Sequence, residues 1–294
     1  MRVAVWAAAA LILAQAASAE EVVRKAQADP HGDVVIGNVA GEVQVVGWDR
    51  NEVHVRADLS SGVERLEFET SGARTTIKVV LPKGRGNYEG SSDLLVNVPR
   101  GSSVSLNTVS ADQIIKDVRG TQRLQAVSGM IQTELYNEDL EIKSVSGDVT
   151  VRGNNGKGVL RLTTVSGAAH LQDVGSEIDL NTVTGDIQVR VKELSRARIK
   201  TTNGNLDLRA AALTRDVRLE AEGINGDLRF RFPRTLDAEF DIETFNGDID
   251  NCFGPEPRRS REYGPGNELR FKEGNGEGRI RIKALNGTVE ICNR

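Results

Sequence analysis

Aromatic residues are scarce: two Trp, three Tyr and seven Phe make 4% of 294 residues. A core must therefore be built from small aliphatics rather than rings. Cysteine occurs only twice, which excludes a disulfide-dense miniprotein. The three histidines, His31, His54 and His170, are scattered, and none sits in an HExxH pattern or at metal spacing from a cysteine. Walker-type loops and Gly-x-Ser-x-Gly are missing, so no nucleotide or hydrolase motif is present. After the first 14 residues there is no long apolar run, which excludes a multi-spanning helical membrane protein. Neither charge sign dominates: 38 Lys and Arg face 42 Asp and Glu, a net charge of −4. That balance gives no global attraction to nucleic acid. Glycine, in contrast, is abundant at 30 residues, and the 38% hydrophobic fraction suits a globular fold rather than disorder.

The start of the chain reads as an export signal. Arg2 is the only charge before Glu20, Val3 to Ala14 is unbroken apolar sequence, and Ala17-Ser18-Ala19 is a small-x-small cleavage site. The stretch is too short for a spanning helix. Residues 1–19 are expected to be cleaved after Ala19, with an uncleaved anchor as the alternative. No cysteine follows the apolar stretch, so a lipidated N-terminus is not expected. The mature chain is expected in the periplasm or outside the cell.

One phrase then recurs. Val127-Ser128-Gly129, Val145-Ser146-Gly147, Val165-Ser166-Gly167 and Val183-Thr184-Gly185 drift into Thr202-Asn203-Gly204, Ile224-Asn225-Gly226, Phe245-Asn246-Gly247 and Leu285-Asn286-Gly287. The step is about nineteen residues until the last, which is 40. Val39-Ala40-Gly41 looks like an isolated first copy. Counted from each glycine, positions −7 and −5 are apolar (Leu140 and Ile142, Leu160 and Leu162), as are +2 and +4 (Val149 and Val151, Ile187 and Val189), with polar residues between. Period-2 alternation on both sides of a glycine turn means two half-buried strands per repeat.

Such turns also suit antiparallel hairpins, so an antiparallel β-sandwich stands against a stacked β-solenoid. Position −6 favours stacking. It reads Arg123, Glu141, Arg161, Asp179, Arg198, Glu220, alternating in sign, as residues about 5 Å apart on successive coils would need to. Position −3 is small throughout, which suits a tight shared corner. The expectation is an all-β solenoid of about nine coils over residues 101–294, with residues 20–100 as an N-terminal β cap continuous with it. Phe230, Phe240 and Phe245 gather where the step lengthens, so the interior is expected to widen there.

Cys252 and Cys292 each lie five residues after a repeat glycine. Same-slot residues on adjacent coils come within disulfide reach, and those two coils apart do not. A disulfide between adjacent coils is expected, with residues 253–278 mostly an Arg- and Pro-rich excursion in which Leu269 and Phe271 leave room for an edge strand. Asp241 would then face Arg281. A redox role lacks the Cys-x-x-Cys spacing.

Two constellations remain. Position +1 carries Asp112, Asp148, Asp186, Asp227 and Asp248, mostly on alternate copies, which suits turns better than metal binding. Asp227 and Asp248 read as the one adjacent pair, with Asp207 and Asp250 nearby, the arrangement a polysaccharide-cleaving enzyme would need. Position +5 carries Arg190, Arg209 and Arg231, a basic ladder if stacked, and Arg258, Arg259 and Arg261 follow in the excursion. Together they are candidates for an anionic envelope polysaccharide, a lipid headgroup or an acidic protein segment; a charge-balanced solvated face is the alternative.

The Val-Ser-Gly-Asp-x-x-Val blocks, the Asn-Gly-Asp variants, Val45-Val46-Gly47-Trp48-Asp49, and Val98-Pro99-Arg100-Gly101 before the array occur in an order that resembles the bacterial domain of unknown function called "putative adhesin". The resemblance covers roughly residues 30–294. It implies an exported β-repeat protein and a loose association with adhesion and envelope-stress signalling. It brings no catalytic residues, cofactor or metal. The Arg-rich insertion and the cysteine pair depart from the plain pattern. The sequence is therefore read as a non-enzymatic binding or scaffolding protein of the cell envelope. The alternatives are a carbohydrate-active enzyme using Asp227, Asp248 and Asp250, or a stress-signalling component that recognises a protein.

Overall fold

A computed structural model describes residues 20–82, 90–260 and 265–293. The proposed signal peptide and Arg261 lie outside the described residues. Among the described residues there is no helix; 23 strands join into one long mixed sheet. Each repeat supplies a leading strand before its glycine and a trailing strand after it, as Leu140–Ser146 and Val149–Gly153 do around Gly147.

Within the array these strands pair in parallel with their counterparts one repeat away: Leu140 opposes Leu160, and Val149 opposes Ala169. An antiparallel sandwich would not pair its repeats this way. Side chains at −7, −5, +2 and +4 fill the space between leading and trailing strands, and Leu140, Ile142, Leu160, Val151, Ile187 and Val189 are all buried. Antiparallel pairs are confined to the two ends of the array.

At the N-terminal end, strand Asp33–Trp48 holds Gly41 and lies parallel to Ser103–Lys116. Its other side is covered by two strands, Arg74–Val80 and Ser92–Pro99. Antiparallel Arg65–Ser71, Glu52–Leu59 and Glu20–Gln27 then extend the sheet. The outermost strands, Arg65–Ser71 and Glu20–Gln27, are rich in charge and largely exposed, which discourages pairing with another chain.

From Ser103 onward, spatial order follows sequence order as far as Gly226 and then departs from it. Strand Gly278–Asn286 lies between 218–225 and Ala238–Asn246, and Val289–Asn293 lies between Leu228–Phe232 and Ile249–Asn251. The last repeat is thus inserted beneath the one before it. The glycine corner shows the same order. A Cβ on Gly287 would collide with the carbonyl oxygen of Gly226, and one on Gly247 with that of Gly287. An asparagine ladder repeats it: Asn225 Nδ2 donates to Asn203 Oδ1 (2.7 Å), Asn286 to Asn225 (2.8 Å) and Asn246 to Asn286 (3.2 Å).

Charge explains the insertion. Stacked in sequence order, Asp241 would meet Glu220, and Glu243 would meet Glu222. With the last repeat between them, Arg281 separates Glu220 from Asp241, and Lys283 separates Glu222 from Glu243. The sign alternation at −6 therefore continues to the end of the array, and antiparallel Arg270 opposite Asp241 extends it once more. Like charges directly opposite are destabilising.

Part of the 253–278 excursion is strand: Asn267–Glu273 runs antiparallel to Ala238–Asn246, and Arg258–Arg259 pairs with it. Its Phe271 stacks on Phe240 with ring centroids 4.4 Å apart, and Phe253 joins them. With buried Phe230 and Phe232 these rings close the C-terminal end of the core. Phe245 does not belong to that cluster, contrary to the sequence expectation. It stands at −2, the outward parity of its strand, and is 50% exposed.

Candidate functional site

The disulfide is where the register requires it. Cys252 and Cys292 are bonded, with Cα atoms 4.7 Å apart, and the backbone N–H of Cys252 donates to the Ile291 carbonyl.

Four of the five aspartates at +1 are engaged in the turn. Asp112 Oδ1 accepts from the Met130 N–H (2.7 Å), Asp148 from Ala168 (2.9 Å), Asp186 from Asn205 (2.9 Å) and Asp227 from Thr288 (3.1 Å). Each carboxylate satisfies an amide of the next rung, whose own +1 residue is not acidic. The inserted repeat preserves this rule by placing Thr288 between Asp227 and Asp248. The two are therefore not neighbours, which corrects the sequence expectation and removes the paired-carboxylate geometry. Asp250 opposes Glu290 rather than Asp227. Among the described residues no group of three His, Cys, Asp or Glu side chains is placed to hold a metal ion.

Arg190, Arg209 and Arg231 do fall in register on adjacent trailing strands. Their neighbours largely neutralise them. Arg209 makes a two-pronged contact with Asp207 (3.0 and 2.8 Å), and Arg231 bonds Glu290 at 2.6 Å. The Asp207 carboxyl is held below its usual range by that Arg209 contact, with Arg231 and Arg190 adding to it. Arg258 and Arg259 are exposed and lie beyond the last leading strand, on the other side of the glycine corner from the ladder. The structure thus gives a balanced ladder and a separate basic pair, not one patch.

A different surface is open. Position −2 of every repeat points outward, and it is apolar in all but one: Val109, Val127, Val145, Val165, Val183, Ile224, Leu285 and Phe245 are each 43–51% exposed. They form one line beside the corner, broken only by Thr202. From Val165 to Phe245 the line becomes the floor of a groove of about 810 Å³. Ser260, Pro265, Gly266 and Glu268 of the excursion contribute to its wall. The wall is fastened to the last rung, because Asn267 Nδ2 donates to the Gly247 carbonyl (2.8 Å) and the Ser260 N–H to that of Gly266 (3.0 Å). Contiguous exposed apolar surface of this kind marks interaction sites. Sequence reasoning missed it, although its signal is the Val of Val-Ser-Gly itself, whose parity is opposite to the core positions.

Three solved structures are among those to which the chain is similar. A "putative adhesin" of Parabacteroides distasonis is 11% identical, with 94% of this chain and 98% of that one covered and a TM-score of 0.49. A "putative lipid binding protein" of the same organism is 15% identical, with 92% and 96% covered and a TM-score of 0.47. A "putative adhesin" of Parabacteroides merdae is 9% identical, with 93% and 96% covered and a TM-score of 0.33. No curated protein matches the chain. Over residues 38–292, nearly the whole array and most of its N-terminal end, the chain belongs to the Toastrack DUF4097 family.

Proposed function

We propose that this protein is a non-enzymatic, adhesin-like binding module, exported to the bacterial cell envelope and built as a stacked β array of about nine coils. The observation that carries the reading is the outward apolar line at −2, which a purely structural rung would fill with polar residues. Parallel strands bonded on both sides hold that line rigid, so little ordering entropy opposes binding. Asp227 is engaged by the Thr288 amide, which separates it from Asp248, and the disulfide suits an oxidising compartment.

The test is retention on isolated envelopes. Wild-type protein is expected to co-sediment with envelope particles, and a Val183→Asp, Ile224→Asp double variant to stay in solution with an unchanged melting curve. Equal sedimentation of the two, or of neither, overturns the reading. N-terminal sequencing of the exported protein should begin at Glu20.

A second reading gives an anionic polysaccharide or an acidic protein segment two separate basic features to bind, the Arg190, Arg209 and Arg231 ladder and the Arg258–Arg259 pair, which Arg261 follows in sequence. The register of the first three favours it. Replacing Arg190, Arg258 and Arg259 with Ser would then weaken retention more at low salt than at high salt.

A further inference from the structure

The groove's lining identifies a narrower ligand class, on the reading that the −2 face is a binding surface. Its floor is one side chain wide. Val165, Val183, Thr202, Ile224, Leu285 and Phe245 follow one another over six rungs, about 24 Å at the spacing of adjacent strands. Polar residues of position −4 flank the line, and every charged side chain among the described lining residues is already paired. Lys200 Nζ lies 3.0 Å from Glu222, Lys283 Nζ 3.0 Å from Glu243, and Glu268 4.0 Å from Arg270. A charged ligand would have to displace one of these pairs to find a counter-ion.

The backbone narrows the class further. The floor strands bond to their neighbours on both sides, Thr182 to Thr164 and Thr201, Gly223 to Thr201 and Ala284. They offer no free N–H or C=O to an extended peptide, whose own amides would go unpaired in an apolar trough. A sugar polymer would need hydrogen-bond partners and stacking rings, and the described lining residues include a single aromatic, Phe245. A hydrocarbon chain has no polar groups to satisfy. One leaflet of bilayer hydrocarbon is about 15 Å deep, so the groove exceeds the length of one acyl chain.

We propose that this groove binds the acyl chain of a single-chain lipid whose headgroup is uncharged. The chain lies along the −2 line against Val183, Ile224, Leu285 and Phe245, and the excursion wall covers one flank.

The probe is monolauroylglycerol, titrated as monomer into the exported, oxidised protein at low and high NaCl. One-to-one binding that is indifferent to salt is expected. Ile224→Asp and Phe245→Asp should each weaken it by at least about tenfold, since a charge would be buried against the chain. Val127→Asp, on the same line outside the groove, should leave it unchanged. Both residues point outward, so folding is preserved; melting curves verify this, and Leu285→Ser gives the same reading with a milder change. No binding, binding equal in the groove variants, or affinity that falls with salt overturns the proposal. So does tighter binding of laurate, or displacement by an apolar peptide at equal affinity. Retention on envelopes without lipid binding would sink this inference alone. Lipid binding without retention would sink the envelope reading alone.

Discussion

Arg281 Nε lies 3.4 Å from the Asp241 carboxylate, in a strand that comes 40 residues later in the chain yet sits one rung earlier in the stack. Glu220 opposes the same arginine from the other side. Arg281→Glu would align three acids. The expected loss is about 1–2 kcal/mol, larger at low salt, from two favourable cross-strand pairs turned unfavourable. Urea unfolding at two ionic strengths measures it. Restoring stability with Asp241→Lys in the same chain would show that the pair, not the arginine alone, is responsible.

The glycine corner separates two costs. Gly185 has φ +135°, and a Cβ there would strike the carbonyl of Gly167; Gly72 has φ +59° with open space around it. Gly72→Ala is expected to lose about 1 kcal/mol, the price of a left-handed alanine. Gly185→Ala must also push two rungs apart and should lose at least about 2 kcal/mol. Thermal midpoints of the two variants should differ in that order.

Opening the disulfide should loosen one end only. Cys252→Ser removes a closure over 40 residues, about 4 kcal/mol in the chain-entropy model. Amide exchange is expected to accelerate in 238–251 and 278–293 and to stay slow around Leu140 and Leu160. Uniform acceleration along the array would contradict a local role.

Tyr136 gives a pH signature. Burial, and then its hydrogen bond to Glu134 (2.8 Å), push its hydroxyl up to about 12. The folded value lies above the ordinary 10, so this stabilisation is complete below pH 10 and is lost as pH rises towards 12. Tyrosinate absorbance should show one group ionising late, and Tyr136→Phe should remove that step.

The repeat, its two strands, the buried positions and the cysteine pairing were legible because period-2 alternation and a fixed glycine are local signals. The order of the last rungs was not, since a chain is read in sequence and the insertion reverses it. Three columns nevertheless held the information. Asp227 and Asp248 break the acid-every-second-rung rule unless Thr288 intervenes. Glu220 and Asp241 break the sign rule unless Arg281 does. The asparagines at 203, 225, 246 and 286 mark those same rungs as one block. Phe245 was misplaced for a different reason. Residue type suggested the core, while its parity relative to Phe240 and Ile242 pointed outward.

An array that simply grows can add each rung to an open end as the chain emerges. This one cannot. Residues 238–251 are made before the strands that must lie between them and 218–232, so they have to wait, detached or wrongly seated, until 278–293 arrives. Completion is therefore a wedging step rather than an addition. A chain interrupted before Gly278 would leave Glu220 and Glu222 facing Asp241 and Glu243, marking itself as unfinished by repulsion at its own end.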